Sequence, residues 1–320
     1  MRRVILDTDL AMGHPGSDID DGFALALALA DPDLQVELVT TVNGNTDVDN
    51  ATRLTLDLLK RLHRADVPVV RGAGKPLVRA WSRAGAGEVT SRPDDDGSFG
   101  GPSPHAAREI VERVMAEPGA LTLVAVGPLT NIALALALEP RVASAVAEIV
   151  VMGGVYVEHT NVLAMPGEFN FWVDPHAADA VLTSGAPLRL VGLDVTRRVR
   201  LTREHTARLA AAGGDFAPFA ARCADEWITH LERTVPGDLR NHGTCALHDP
   251  LAVAAVARED LVRWQSAHVR VEADSERTLG VAIADLLTTS DAPDPNCRIA
   301  VDVDADAFLA LFVDRLAQFA

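Results

Sequence analysis

Five aspartates lie within fifteen residues near the amino terminus: Asp7, Asp9, Asp18, Asp20 and Asp21. Asp7 and Asp9 end one apolar run, and the other three precede the next. Like charges this close raise one another's pKa, so such a cluster either takes up protons or binds a hard cation. Ligands that are all oxygen are typical of Ca²⁺ or Mg²⁺ sites. The alternative, that Asp20 and Asp21 only face the positive end of a helix dipole, leaves Asp7 and Asp9 unexplained.

The 320 residues include 48% hydrophobic side chains and carry a formal net charge of -16. This composition predicts a sizeable core, in one large domain or two small ones. The acidic excess argues against nucleic acid and anionic membranes as partners, since phosphate binding needs clustered Lys and Arg. The longest apolar stretch, 22–30, is about half a membrane span, and no signal-peptide apolar region precedes the first acidic residue. We therefore expect a cytoplasmic protein.

The cysteines give no sign of a disulfide framework or a zinc site. They are three in number, far apart in the sequence, and form no CxxC pair: Cys223, Cys245 and Cys297. We expect them to be buried thiols.

Short apolar runs alternate with helical patterns along much of the chain. We predict strands at 3–6, 36–42, 67–70, 121–126, 148–152, 188–191 and 298–303. The runs are continuous rather than alternating, which indicates strands buried on both faces. The predicted fold class is therefore α/β, with an open, mostly parallel sheet flanked by helices. The segment after Asp21 is apolar all round, so we expect a buried helix there.

In open parallel sheets, ligands bind beyond the carboxyl ends of the strands. Polar residues or glycines follow several predicted strands and should converge on one rim: Asp7, Asp9, Asn43, Asn45, Gly127, Gly153 and Gly154. Residues 81–104 mix glycine with aspartate and show no periodicity, and we interpret this long loop as a lid. A second irregular segment, 158–167, precedes the triplet at 168–170.

Seven short blocks follow one another along most of the chain: DTD at 7–9, IDDGFAL at 19–25, VNGNT at 42–46, VGPLTN at 126–131, VMGG at 151–154, EFN at 168–170 and HDP at 248–250. In this order they resemble the inosine-uridine-preferring nucleoside hydrolases. The resemblance implies hydrolysis of ribonucleosides to ribose and free base, as in purine and pyrimidine salvage. It also implies a single nucleoside hydrolase domain over residues 1–320, with a Rossmann-like core and a bound Ca²⁺ ion. The expected assembly is a homodimer or homotetramer.

The same resemblance implies roles for individual residues. Asp9 corresponds to the general base and a metal ligand, and Asp21 and Asp249 to further metal ligands. Asp7 lies near the metal, and Val126 offers a main-chain carbonyl, for which an apolar side chain is no obstacle. The ribose-contacting positions are Asp20, Asn45, Asn161, Glu168 and Asn170, although the spacing between Asn161 and Glu168 departs from the family pattern. His248 matches the histidine that protonates purine leaving groups.

These residue types suit the expected reaction. A glycosidic bond to a nucleobase breaks through an oxocarbenium-like transition state, so the site must stabilise positive charge on the sugar, activate water and assist a poor leaving group. Carboxylates would stabilise the sugar, and a Ca²⁺-bound water would lose its proton to Asp9. His248 would then protonate the departing base.

Several assignments have a structural alternative. Asn45 and Asn170 would then only cap a helix or a turn, and His248 would only begin the apolar helix that follows it. Glu168 has no structural purpose that is evident in the sequence. Other residues either line the base pocket or pack in the core: Trp227, Phe171, His230 and His242.

The segment between the DTD and DD blocks, residues 10–19, is longer than the family pattern. It brings His14 and Asp18 close to the expected metal, where either could be an extra ligand, a substrate contact or a solvent-facing residue. Loop-closure entropy grows only logarithmically with length, so the longer loop costs little.

Two other functions remain open from the sequence. In a haloacid dehalogenase-type phosphatase, Asp7 would be the nucleophile and Asp9 the acid or base with Mg²⁺, but Leu10 and Ala11 do not fit the expected continuation. A non-catalytic nucleoside- or ribose-binding protein would keep the sugar clamp and the metal. The presence of both Asp9 and Asp249 argues against it, because ribose binding alone needs no base beside a metal.

Overall fold

Strands and helices alternate along the residues that this computed structural model describes, which are 1–80, 105–287, 289 and 291–319. The loop that we interpret as a lid, 81–104, lies outside them. The strands are β1 (Arg2–Thr8), β2 (Leu34–Thr41), β3 (Val69–Arg71), β4 (Leu121–Ala125), β5 (Glu148–Met152), β6 (Leu188–Val191), β7 (Arg200–Thr202), β8 (Thr244–Ala246), β9 (Val262–Val271), β10 (Ala282–Asp285) and β11 (Cys297–Val303).

The helices lie mostly between these strands. They are α1 (Asp20–Ala30), α2 (Val48–Arg61), α3 (Ala106–Ala116), α4 (Thr130–Leu138), α5 (Val142–Ala145), α6 (Phe169–Val173), α7 (Pro175–Leu182), α8 (Leu193–Thr196), α9 (Arg203–Ala212), α10 (Ala217–Thr234), α11 (His248–Ala257) and α12 (Ala305–Leu316). None of those in the described ranges combines the length and apolar character needed to cross a membrane.

Nine of the strands form one sheet in the order β10-β9-β11-β6-β5-β4-β1-β2-β3. Strands β1 to β6 pair in parallel, and β11 joins β6 in parallel, which confirms the predicted mostly parallel α/β sheet. The antiparallel pairs of β9 with β10 and β11 were not predicted. β9 alternates buried and more exposed residues over part of its length, as a strand with one face toward solvent does.

Apolar residues cover both faces of the sheet in two core clusters. On one face, α1 packs against α11 and α12. Every residue of α1 except Leu29 is buried, which confirms the prediction of a buried helix. Its Phe23 ring meets the rings of Phe216 and Phe312 edge-on, at centroid distances of 6.4 and 5.4 Å. This packing fixes the amino end of α1, where Asp20 and Asp21 lie.

The strand order reverses between β1 and β4, because β2 and β3 extend the sheet on one side and β5 and β6 on the other. Ligand crevices form at such reversals, beyond the carboxyl ends of the strands. Asp9 follows β1 at this point, and Gly127 follows β4. The edge of the sheet at which the strand order reverses is therefore the edge at which the sequence predicted that polar residues would meet.

Candidate active site

The Asp9 carboxylate fills a narrow space at the end of β1. A Cβ atom on Gly44 would overlap it, and one on Gly127 would lie 2.8 Å from its Oδ1 atom, so glycine is required at both positions. The Asn45 backbone N–H donates to Oδ2 of Asp9 at 2.6 Å. Oδ1 is buried and accepts no hydrogen bond from the described residues. Asp9 is therefore rigidly placed, with one oxygen left for a ligand.

Asp20, Asp21 and Asp249 come together beside Asp9, although α1 and α11 are far apart in the sequence. One carboxylate oxygen from each of the three lies within 4.8 Å of the others. Asp21 accepts hydrogen bonds from the Thr8 hydroxyl and from Nδ2 of Asn45, at 2.5 and 3.0 Å. The structure therefore brings two of the predicted metal ligands, Asp21 and Asp249, together with Asp20, which was predicted to contact ribose.

Burial makes ionisation of these acids costly. It raises the pKa of Asp21 to about 6, against the opposing hydrogen bonds of Thr8 and Asn45. Burial, reinforced by the charge of neighbouring aspartates, raises the pKa of Asp9 and Asp249 well above the usual range. A cation among the carboxylates removes this cost. The all-oxygen donor set and the free Oδ1 of Asp9 fit a hard divalent ion.

Asp7 lies apart from this group. Its Oδ1 accepts hydrogen bonds from the Thr40 hydroxyl and from Nδ2 of Asn131, the latter at 2.7 Å. Burial raises its pKa to about 7, and its Oδ2 atom accepts no hydrogen bond from the described residues. Asp7 does not line the cavity described next. These hydrogen bonds tie Asp7 to β2 and α4.

A cavity of about 330 Å³ opens above the acids. Seven of the predicted site residues line it: Asp20, Asn45, Val126, Glu168, Asn170, His248 and Asp249. Nδ2 of Asn170 donates to the carbonyl oxygens of Val126 and Met152, at 3.0 and 3.2 Å. This amide therefore links the ends of β4 and β5 beneath the cavity.

Glu168 has a structural role that the sequence did not reveal. Its carboxylate caps α6 by accepting the backbone N–H groups of Asn170 and Phe171, at 2.9 and 3.2 Å. It also accepts the N–H of Gly154 at 3.1 Å. Burial raises its pKa to about 7 despite these bonds. Glu168 therefore has a structural purpose that is not evident in the sequence, and it also lines the cavity.

Asn161 is not brought to the cavity. It is exposed in the irregular segment between β5 and α6, with a positive φ of 60°. Its Nδ2 atom donates to the carbonyl of His159 at 3.4 Å. In the 10–19 segment, Asp18 lines the cavity, whereas His14 is not among the lining residues.

His248 begins α11 and faces the same cavity as the acids. Its Nδ1 atom lies 2.7 Å from the Thr196 hydroxyl. Burial, and then the charges of Arg200 and Arg197, lower its pKa to about 3. The imidazole of the free protein is therefore neutral at neutral pH.

The cavity is also lined by residues whose role the sequence left open and by residues that the sequence did not predict. Trp227 lines the cavity and stacks on His230, with 5.2 Å between ring centroids. Phe171 instead packs in the core. The residues that were missed are Met165, Leu193, Arg197, Arg200, Leu231, Asp238, Arg240, Asn241 and Ala246. No local motif marks them, because tertiary packing alone brings them together.

Comparisons with known proteins point to one enzyme family. The model of the family described as inosine-uridine preferring nucleoside hydrolase matches residues 4–310. A pyrimidine-specific ribonucleoside hydrolase RihA of Enterobacter sp. (strain 638) is 36% identical, over 99% of this chain and 98% of the relative. A purine-preferring ribonucleoside hydrolase from Gardnerella vaginalis superposes with a TM-score of 0.84 at 29% identity, over 99% of both chains.

A solved inosine-guanosine nucleoside hydrolase superposes with a TM-score of 0.81 at 30% identity, over 100% of both chains. The family match spans nearly the whole sequence, and both structural matches cover at least 99% of this chain. This chain belongs to the inosine-uridine preferring nucleoside hydrolase family.

Proposed function

We propose that this enzyme hydrolyses the N-glycosidic bond of ribonucleosides to ribose and free base, with Asp9 as the general base. The observation that carries the proposal is the meeting of Asp20, Asp21 and Asp249, with Asp9 close enough to Asp21 to feel its charge, at a cavity lined by hydrogen-bonding side chains. Family membership supports the reaction class. The names of the relatives point to different bases, pyrimidines in one case and purines in another, so they do not assign the base here.

We infer that Asp9, Asp21, Asp249 and the carbonyl of Val126 hold a Ca²⁺ ion, since calcium prefers several oxygen ligands. Bound there, the ion would supply the positive charge that lowers the pKa of a water molecule and orients it. Asp7, which Asn131 and Thr40 hold in place by hydrogen bonds, would lie near the ion.

The side chains of the enzyme would accept the water proton, bind the ribose and stabilise the charge on the sugar. Asp9 takes the proton of the attacking water, and the Asn45 N–H and the nearby glycines hold its carboxylate in place. Asp20, Asn45, Glu168 and Asn170 bind the ribose hydroxyls, which positions the sugar above the acids. The buried carboxylates also stabilise the positive charge that develops on the sugar ring.

His248 lines the same cavity and would donate a proton to the departing base. Its low pKa leaves the ring neutral in the free protein, so this role requires a proton from solvent to reach the ring as negative charge develops on the base. The alternative role, a helix-start residue without a part in catalysis, is tested below. The cytoplasmic location, the homo-oligomeric state and the Asn161 contact remain predictions.

A reducing-sugar assay with inosine, uridine, adenosine and cytidine in the presence of Ca²⁺ tests the proposal. We expect ribose release from at least one nucleoside, and loss of that release in Asp9→Ala with the fold preserved by circular dichroism. Binding of a nucleoside without ribose release would instead support the non-catalytic binding protein. Full activity in Asp9→Ala would remove Asp9 as the base.

A further inference from the structure

Two arginines, Arg197 and Arg200, line the same cavity as His248 and the proposed ribose-binding residues. Ribose and most nucleobases are neutral, so binding alone gives no reason for positive charge here. The departing base, however, becomes negatively charged as the glycosidic bond breaks.

The bonds of Arg200 hold its guanidinium without neutralising it. Nε donates to the Thr244 hydroxyl at 3.0 Å, and Nη2 donates to Oδ1 of Asn241 and to the carbonyl of Arg240, at 2.8 and 2.7 Å. All these acceptors are uncharged. Arg240, which also lines the cavity, instead forms an ion pair with Asp238 at 2.8 Å. In the described part of the chain, Arg200 has no such direct carboxylate partner.

Arg200 remains positively charged in its partly buried surroundings. Burial lowers its pKa more than the nearby Asp238 and Asp18 raise it, but a guanidinium still remains charged at any physiological pH. Arg197 is 16% exposed, lies 3.6 Å from Glu158 and donates to the carbonyl of His159 at 2.9 Å. Fixed charges that are partly buried act more strongly than charges in open solvent do.

We propose that Arg200, assisted by Arg197, stabilises the negative charge on the departing base, an inference that rests on the proposed nucleoside hydrolysis. The bond between C1′ and the base nitrogen breaks, and its electron pair goes to the base. The water oxygen bonds to C1′, and Asp9 takes the water proton. Arginine has only donors, so it suits the ring carbonyl oxygens over which an anionic base spreads its charge.

The test measures kcat/KM for the better substrate of uridine and inosine, and for its more acidic analogue, 5-fluorouridine or 2-chloroinosine. The halogen makes the base a better leaving group, so that it needs less help. Arg200→Gln should lower kcat/KM for the parent nucleoside about 10²-fold, which is typical of losing one preorganised stabilising group. The loss for the halogenated analogue should be clearly smaller.

Three variants serve as comparisons. Arg200→Lys keeps the charge and should recover most of the activity. Arg197→Gln should show a weaker loss with the same leaving-group dependence, and it tests the idea even if Arg200→Gln fails to fold. Arg198→Gln, at an exposed arginine that pairs with Asp302 and does not line the cavity, should leave kcat/KM unchanged.

Equal losses for parent and analogue in both glutamine variants would overturn the role of the arginines while leaving nucleoside hydrolysis intact. A wild-type protein that releases no ribose from any nucleoside would instead overturn the proposed function, and this inference with it.

Discussion

Oδ2 of Asp20 accepts the backbone N–H of Asp249 at 3.1 Å, which joins the start of α1 to the first turn of α11. The same oxygen accepts the N–H of His248 at 3.0 Å. One aspartate therefore fixes the helix that presents both a proposed metal ligand and the proposed acid. This contact couples residues at the two ends of the chain.

Asp20→Asn separates the structural role of Asp20 from its proposed catalytic role. The amide oxygen of asparagine still caps a helix, so the melting temperature should be kept or rise in chelator, because one buried charge is gone. A charged hydrogen bond to ribose is worth about 1.5–3 kcal/mol, so kcat/KM should fall about 10- to 100-fold. Asp20→Ala should lose activity and also about 1 kcal/mol of stability. Unchanged kcat/KM in Asp20→Asn would argue against a ribose contact.

Gly44→Ala should impair catalysis through Asp9. The added methyl group overlaps the Asp9 carboxylate, and a misplacement of about 1 Å can cost about 10²-fold in rate. Gly237→Ala is the matched control, because its methyl group meets no atom within 4 Å. Steady-state kinetics and melting curves of both variants check this. If both variants keep full activity, the tight placement of Asp9 does not matter for the reaction.

His248→Ala should slow the release of a nucleobase by about 10² or more, the usual contribution of a general acid. p-Nitrophenyl riboside has a leaving group that needs no proton, so its hydrolysis should change little. Rates on both substrates are measured for wild type and variant. Equal losses would indicate that His248 only positions α11.

The stability of the metal-free protein should decrease as the pH rises from 5 to 8. Burial raises the pKa of Asp7 and Glu168 to about 7 and that of Asp21 to about 6. A carboxyl whose pKa is raised by folding contributes stability below its unfolded pKa, near 4, and loses it as the pH rises through the folded value. Metal binding requires the ionised carboxylates, so Ca²⁺ should stabilise more at high pH.

Melting temperatures in chelator and in Ca²⁺, at pH 5 and pH 8, check this. The gain from Ca²⁺ should be larger at pH 8. A gain of the same size at both pH values would show that metal binding is not linked to these acids.

The residues closest to the proposed chemistry were predictable because their signal is local. Asp9, Asp21 and Asn45 follow strands or begin a helix, and parallel strands necessarily bring such positions to one rim. The cap made by Glu168 was missed, since the turn that it closes is visible only in three dimensions. Arg200 was missed for another reason: it lies in a short strand, and β8 together with α10 brings it to the cavity.

The cavity residues that only tertiary packing brings together could therefore not be predicted from the sequence. They come from separate elements, and the segment that carries Asn161 departs from the family spacing. We expect base preference to depend on these residues, so it has to be measured by kinetics with different nucleosides.

Calcium binding to chelator-treated protein, measured by calorimetry with ribose release followed on the same sample, tests the central claim most directly. We predict that wild type binds Ca²⁺ and regains activity as the site fills, whereas Asp249→Ala does neither. Full ribose release by metal-free wild type, or Ca²⁺ binding by Asp249→Ala with unchanged affinity, would contradict the claim that acids from both ends of the chain hold the ion.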